Sequence, residues 1–247
     1  MGADFPYLYP YSRAEARRQG KTQMHEDSFR QNVSCARAIE QAIRDHFDET
    51  NEGLKDGCAQ AVLEQYGFKR VNFVLANSLK EMGRPHLLRE ETRQWGLRTY
   101  VPPDGQYNRY FAVDTAAPLL EVFVNQAKHA YQALGLFGPE HCVGNRHEME
   151  YKGKVLVLSP DTLREGCWTP ENQLWYAHDG FGCSPNAIGR SIRATCLGDG
   201  EMARWDRADF TGVLDERYLP DWAAKKLEEL CEPENQIKNS PEMGGMS

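Results

Sequence analysis

A cysteine and a histidine lie close together in a glycine-rich segment of the C-terminal half. Cys183 follows Gly180-Phe181-Gly182, and His178 comes just before these residues. An imidazole within hydrogen-bond distance can hold a cysteine as a nucleophilic thiolate, and glycines beside the thiol let a substrate approach. The segment therefore predicts, as one alternative, a Cys/His-dependent enzyme with Cys183 as nucleophile and His178 as its base. A structural turn with a buried thiol is the other interpretation.

The chain also holds residues that could be considered as metal ligands, namely His141, Cys142, His147, Cys167, His178 and Cys183. A structural zinc site takes four converging ligands, and its cysteines usually come in short pairs. No Cys-x-x-Cys pair occurs among the seven cysteines, and His141 is directly adjacent to Cys142. The sequence therefore predicts no metal site and no cofactor, and we expect reduced thiols.

Four arginines and a tryptophan lie on or near the last two predicted strands: Arg190, Arg193, Arg204, Trp205 and Arg207. Arginines beside an exposed aromatic ring can bind single-stranded nucleic acid through phosphate contacts and base stacking. The chain has 29 basic and 36 acidic residues and a formal net charge of −7, which disfavours a nucleic-acid partner. In the structural interpretation, Trp205 belongs to the core and the arginines pair with neighbouring carboxylates.

Apolar periodicity changes part-way along the 247 residues. Steps of three and four residues, as in Ala36, Ile39 and Ile43, predict helices over most of the first 137 residues, with Gly67 as a helix C-cap. After Gly138, short alternating segments predict strands, including a hairpin around residues 152–154. A final helix is expected to begin at Asp221.

These patterns predict an α+β fold in which helices and strands are segregated. We expect an N-terminal helical domain over residues 1–137, a small antiparallel β-rich domain with a closing C-terminal helix over residues 147–231, and a disordered tail over residues 232–247. No window approaches the roughly 18 consecutive apolar residues of a membrane span, and no signal peptide is evident. The expected location is therefore the cytoplasm, with no membrane partner.

Several motifs in the helical half resemble a known family. They are Tyr9-Pro10-Tyr11-Ser12, Asn32-x-x-Cys35-x-x-Ala38-Ile39, Tyr66-Gly67-x-x-Arg70-Val71-x-x-Val74-Leu75-Ala76 and Gly83-Arg84 followed by Trp95. Together they resemble domain of unknown function 3849. Motifs of the second half are Asn172-Gln173-Leu174-Trp175, Gly182-Cys183-Ser184-Pro185 and Trp205-x-Arg207-x-Asp209-Phe210. They resemble a module often joined to that domain in cargo proteins of conjugative elements of gut Gram-positive bacteria.

The resemblance implies a genetic setting and no activity. We therefore expect a non-enzymatic accessory protein of a mobile genetic element that acts by binding a protein partner, with a host system as one candidate target. Two alternatives stay open. One is the enzyme that uses Cys183 and His178, and the other is a nucleic-acid-binding accessory protein that uses the arginine-bearing strands.

Overall fold

The computed structural model describes residues 5–83, 85–144, 148–163 and 167–238. Within these ranges the helices are α1 (Arg13–Arg18), α2 (Thr22–Asp45), α3 (Gln60–Glu81), α4 (Glu90–Arg98), α5 (Gln106–Tyr110), α6 (Ala117–Ala133), α7 (Pro170–Gln173) and α8 (Asp221–Lys238). The strands are β1 (Phe47–Asp48), β2 (Gly53–Leu54), β3 (Cys142–Val143), β4 (Val155–Leu158), β5 (Leu174–Asp179), β6 (Ser191–Cys196), β7 (Met202–Asp206) and β8 (Phe210–Leu214). The predicted α+β fold is confirmed.

The helical half is built on α2 packed against α3. Ala36, Ile39 and Ile43 of α2 are buried at the spacing that predicts a helix, because steps of three and four residues align side chains along one face. They join a core that includes Trp95 of α4 and Phe123 of α6. Each fully buried large apolar side chain contributes roughly 1.5–3 kcal/mol to the free energy of unfolding.

The helix α3 bends at Gly67, the residue predicted to be a helix C-cap. Its backbone has φ 76° and ψ 163°, so the first segment of α3 ends there and a second begins at Phe68. The amides of Phe68 and Lys69 donate to the carboxylate of Asp161, at 2.8 and 2.7 Å. A Cβ at residue 67 would lie 2.6 Å from Asp161 Oδ2. Glycine is therefore required both by the positive φ and by a carboxylate that comes from the other half of the chain.

A short hairpin of β1 and β2 follows α2. In it, Phe47 pairs with Leu54 and Asp48 pairs with Gly53. The amide of Thr50 donates to Asp48 Oδ1 at 3.0 Å, which is the side-chain turn that aspartate commonly forms. This local turn competes with the helix and ends it before Phe47.

The second half contains a six-stranded sheet in the order β3-β8-β4-β5-β6-β7, and every neighbouring pair is antiparallel. One face packs Leu156, Trp175 and Phe210 into a core, and the opposite face carries Val157 and Leu174 against α8. The hairpin predicted around residues 152–154 is wrong. Residues 148–151 form no strand, and β4 pairs with β5 and β8, because long-range pairing outweighs a local turn signal.

The two halves contact each other through polar groups as well as through the loop between them. Lys69 Nζ lies 3.0 Å from Asp209 Oδ1, which joins α3 to the segment between β7 and β8. The Tyr11 hydroxyl donates to Asp206 Oδ1 at 3.4 Å, and burial raises the pKa of that carboxyl. The chain segment before α1 therefore bridges the helices and the sheet.

Two of the predicted boundaries fall partly beyond the described ranges. Residues 145–147, at the expected seam between the domains, lie outside them, as do residues 239–247 of the expected tail. The helix α8 continues to Lys238, beyond residue 231 where the sequence analysis ended the β-rich domain. No helix within the described ranges is long and apolar enough to cross a membrane.

Candidate functional site

Cys183 is buried in the core of the sheet half. Its side chain belongs to the apolar cluster that also contains Trp175 and Ala177 of β5. Burial raises the pKa of the Cys183 thiol to about 11, with further increases from Glu150 and Asp179 that outweigh the opposing effect of Arg207. A thiol with this pKa is protonated at neutral pH, so it is not poised as a nucleophile.

His178 lies on the other face of the sheet from Cys183. Side chains of a strand alternate between faces, and Trp175 and Ala177 of β5 point into the core that holds Cys183. His178 lies at an irregularity of the β5–β6 pairing between Ala177 and Asp179. Its Nε2 atom is 2.7 Å from the hydroxyl of Thr195, which lies on the face opposite to the core residue Ala194 of β6. Its ring also meets the Tyr176 ring edge-on, with centroids 5.0 Å apart. The two residues of the proposed enzyme are therefore near in sequence but are not brought together.

Arg207 is buried beside Cys183 and binds backbone carbonyls. Its Nη1 atom donates to the carbonyls of Gly182 at 2.6 Å and Cys183 at 3.0 Å, and its Nη2 atom donates to that of Met149 at 2.6 Å. The guanidinium lies 3.7 Å from the centroid of the Tyr151 ring. This arginine holds the turn of Cys183 against the segment before β4, so its donors are used inside the protein.

Arg190 is also enclosed, at the contact between the two halves. Its guanidinium forms an ion pair with Glu15 of α1, and both side chains are mostly buried. The same group lies 4.4 Å from the centroid of the Tyr11 ring, a cation–π contact. Arg190 therefore connects the sheet to the N-terminal helices.

The remaining predicted binding residues lie on β6 and β7, on two different faces. Trp205 packs edge-on against Trp175, with ring centroids 5.1 Å apart, on the core face. Arg193 and Arg204 are opposite each other in the strand register and are exposed on the other face. Arg193 forms an ion pair with Asp179, whereas no described residue neutralises Arg204. The five residues thus do not form one patch.

An exposed apolar pair, which the sequence analysis did not identify, lies in the loop of residues 180–190. Phe181 is 77% exposed and Ile188 is 83% exposed, the highest values among the large apolar side chains that the structure describes. Gly189 lies directly under Phe181, because a Cβ there would come 2.7 Å from the Phe181 Cβ. The sequence feature that could have indicated this pair is the occurrence of large apolar residues among the glycines of the loop. Hydrophobic pattern alone, however, assigns such residues to a core.

The glycines of this loop serve backbone packing. A Cβ at Gly180 would overlap the Ser191 carbonyl oxygen, and a Cβ at Gly182 would overlap that of Arg190. The loop therefore folds back tightly on the start of β6, which fixes its backbone and leaves Phe181 outside. The space beside Gly180 and Gly182, through which a substrate could approach Cys183, is filled by the protein's own backbone.

Comparison with protein families shows a match over the helical half. Residues 8–132 match the family described as protein of unknown function (DUF3849), which is more than half of the chain. The chain belongs to the DUF3849 family. No curated protein and no solved structure matches it.

The DUF3849 region runs from the segment before α1 into α6, so it comprises the helical half. It contributes Glu15 and Tyr11, which hold Arg190, the last residue of the exposed loop. The loop itself belongs to the sheet half, beyond the match. The DUF3849 helices therefore support the base of the loop from outside the sheet.

Among the described residues, no group of three or more histidines, cysteines or acidic residues is arranged to hold a metal ion. His147, one of the residues considered as ligands, lies outside the described ranges. All seven cysteines are free thiols, and Cys142 and Cys183 are buried. Burial raises the pKa of Cys142 well above its ordinary value, which disfavours the thiolate that a metal requires.

Proposed function

We propose that this DUF3849 protein is a non-enzymatic accessory protein that acts by binding another protein through the loop of residues 180–190. The observation that carries the proposal is the pair Phe181 and Ile188, two large apolar side chains exposed on one loop. Apolar side chains that a folded chain leaves outside its core are typical anchors for a partner surface. Their burial on binding would supply the main favourable free energy.

The contacts of the other residues favour binding over catalysis. Cys183 is buried with a raised pKa, and His178 bonds to Thr195 on the opposite face. They also favour a protein over a nucleic acid as the partner, because Arg190 and Arg207 use their charge internally and the net charge is −7. Arg193 and Arg204 alone would make few phosphate contacts.

The genetic setting is part of the same proposal. The motifs between residues 172 and 210 resemble a module found with DUF3849 in cargo proteins of conjugative elements, so we assign the chain to a mobile element. The partner would then be a cytoplasmic protein, and a protein of the bacterial host is the candidate to test first.

Affinity capture with a matched pair of variants tests the function. The protein carrying Phe181→Ser and Ile188→Ser is compared with one carrying Leu87→Ser and Leu97→Ser, since both leucines are 53% exposed but lie in the helical half. A partner captured by the natural protein and by the leucine variant, and lost from the loop variant, is purified and titrated. We expect at least a tenfold loss of affinity for the loop variant. Equal affinity of the two variants would contradict the proposal.

A further inference from the structure

The strand β7 forms one edge of the six-stranded sheet. It pairs with β6 in the register Ile192 to Trp205 and Ala194 to Ala203. In the same register, the Cys196 amide donates to the Glu201 carbonyl at 2.8 Å, and the Arg207 amide donates to the Arg190 carbonyl at 2.7 Å. These two bonds, just before and just after β7, determine which residues of β7 form hydrogen bonds to β6.

The alternation of hydrogen-bonded and non-hydrogen-bonded residues determines which backbone groups of β7 face away from β6. Hydrogen-bonded residues alternate along an antiparallel strand, so Ala203 and Trp205 direct their amides and carbonyls toward β6. Met202, Arg204 and Asp206 direct theirs away from the sheet. The Asp206 amide donates to the Asp209 carboxylate at 2.9 Å, which closes that end. No described residue bonds to the outward backbone groups of Met202 or Arg204.

One face of this edge carries the apolar Met202, the basic Arg204 and the acidic Asp206. The Asp206 carboxylate already accepts bonds from the Ala208 amide and the Tyr11 hydroxyl. Met202 is 60% exposed. Arg193 lies directly opposite Arg204 on β6, but Asp179 pairs with it. A strand added beside β7 would therefore meet one arginine without a carboxylate among the described residues, together with an exposed thioether side chain.

Charge argues against a second copy of this chain as the added strand. Antiparallel pairing of two β7 strands would place the two Arg204 side chains on the same face, either directly opposite or diagonally adjacent to each other. Like charges at such positions destabilise strand pairing. An arginine on an edge strand also protects a sheet from pairing with itself. The same arginine favours a foreign strand that carries an acidic residue at the facing position.

We propose that β7 accepts an extended segment of a partner protein as an additional strand, with an acidic side chain facing Arg204. Main-chain bonds to Met202 and Arg204 would provide the pairing, and the arginine would select the sequence. The proposal rests on the proposed function only in that the chain binds another protein, and it adds a second contact for that partner. It concerns a different surface from the pair Phe181 and Ile188, so the two can fail separately.

The test uses the full chain and an N-acetylated peptide in which glutamate and valine alternate. Amide hydrogen exchange by NMR reports the site: the peptide is expected to slow exchange at Met202 and Arg204 and to leave Ala203 and Trp205, which are already bonded, little changed. A peptide in which lysine and valine alternate is the matched probe. We expect it to bind at least tenfold more weakly.

Two variants separate backbone pairing from charge. Met202→Pro removes an outward amide donor and keeps the inward bonds of β7, and proline is tolerated at such edge positions. We expect it to reduce binding of the glutamate peptide at least tenfold with thermal unfolding unchanged. Arg204→Glu is expected to reverse the preference toward the lysine peptide. Leu97→Ser, at a residue that is 53% exposed in the helical half, is the control that leaves peptide binding unchanged.

Four results would overturn the proposal. The first is absence of saturable binding of the glutamate peptide, and the second is exchange protection that maps away from Met202 and Arg204. The third is self-association that Met202→Pro abolishes, which would assign the edge to a second copy. A partner that is lost with Phe181→Ser and Ile188→Ser but binds Met202→Pro normally would overturn this inference while supporting the proposed function. The opposite result is peptide binding at β7 together with a partner whose binding does not change with Phe181→Ser and Ile188→Ser. That result would support this inference and overturn the assignment of binding to the loop.

Discussion

Two pairs of arginines in the sheet half are close in sequence but have opposite surroundings. Arg190 and Arg207 are enclosed and bind a carboxylate or backbone carbonyls, whereas Arg193 and Arg204 are exposed on one face of β6 and β7. The first pair follows a loop or a strand end, where the backbone turns the side chain inward. The second pair lies within strands and follows their alternation. A cluster of arginines in sequence is therefore no measure of a basic surface.

The largest difference is expected for Arg207. Replacing it by methionine keeps an apolar stem but leaves buried carbonyls, including those of Gly182 and Cys183, without this donor. Urea unfolding should show a loss of about 3 kcal/mol or more. The matched change Arg204→Met should cost less than about 0.5 kcal/mol, because its side chain is exposed. Equal losses would remove the distinction between the two pairs.

Cys183 provides a second test of the enclosed region around Arg207, because its carbonyl accepts a hydrogen bond from that arginine. With burial raising its pKa to about 11 from an ordinary value of 9.0, its thiolate population at neutral pH falls roughly a hundredfold. Iodoacetamide labelling followed by mass spectrometry should be correspondingly slow, and its rate should rise with pH toward 11. The half-buried Cys167 is the internal control. Fast labelling that His178→Ala abolishes would instead support the enzyme.

Arg190 is expected to have an intermediate effect. Arg190→Ala removes the ion pair with Glu15 and the contact with the Tyr11 ring, at a cost of about 1–2 kcal/mol. A double-mutant cycle with Glu15→Ala, measured by urea unfolding, should show that the two losses are not additive. Strict additivity would mean that this pair does not connect the halves energetically.

Arg193 is expected to have the smallest effect. Its ion pair with Asp179 is about half exposed on both sides, and exposed pairs contribute little. Arg193→Ala should reduce the free energy of unfolding by less than about 0.5 kcal/mol, and added salt should remove even that difference. If Arg193→Ala reduced the free energy of unfolding as much as Arg190→Ala does, Arg193 would have to be classed with Arg190 and Arg207 as an enclosed arginine.

The class of fold was predictable because each segment carries its own periodicity. The buried positions Ile39 and Ile43 recur at helical steps, and the run from Val155 to Leu158 is a buried strand. The hairpin around residues 152–154 was not correct, because β4 takes its partners β5 and β8 from distant parts of the chain. Strand pairing is a long-range choice that a local turn signal does not determine.

The candidate site was less predictable than the fold. Cys183 and His178 are close in sequence, but Cys183 is in the core of the sheet half, whereas His178 contacts Thr195 on the opposite face. Exposure of Phe181 and Ile188 had no signature in composition, since such residues are usually buried. For Phe181 it depends on glycine backbones: Gly180 and Gly182 pack against residues 190–192, and Gly189 lies against the Phe181 side chain.

Local sequence pattern and composition are enough to give the order and type of most elements, the segregation of helices from strands and the net charge. The tertiary structure alone decided which arginines are enclosed, that Asp161 caps the second segment of α3, and that β7 is an open edge. Each of these depends on contacts between residues far apart in the chain, and such contacts are set by packing and register, which no local window contains.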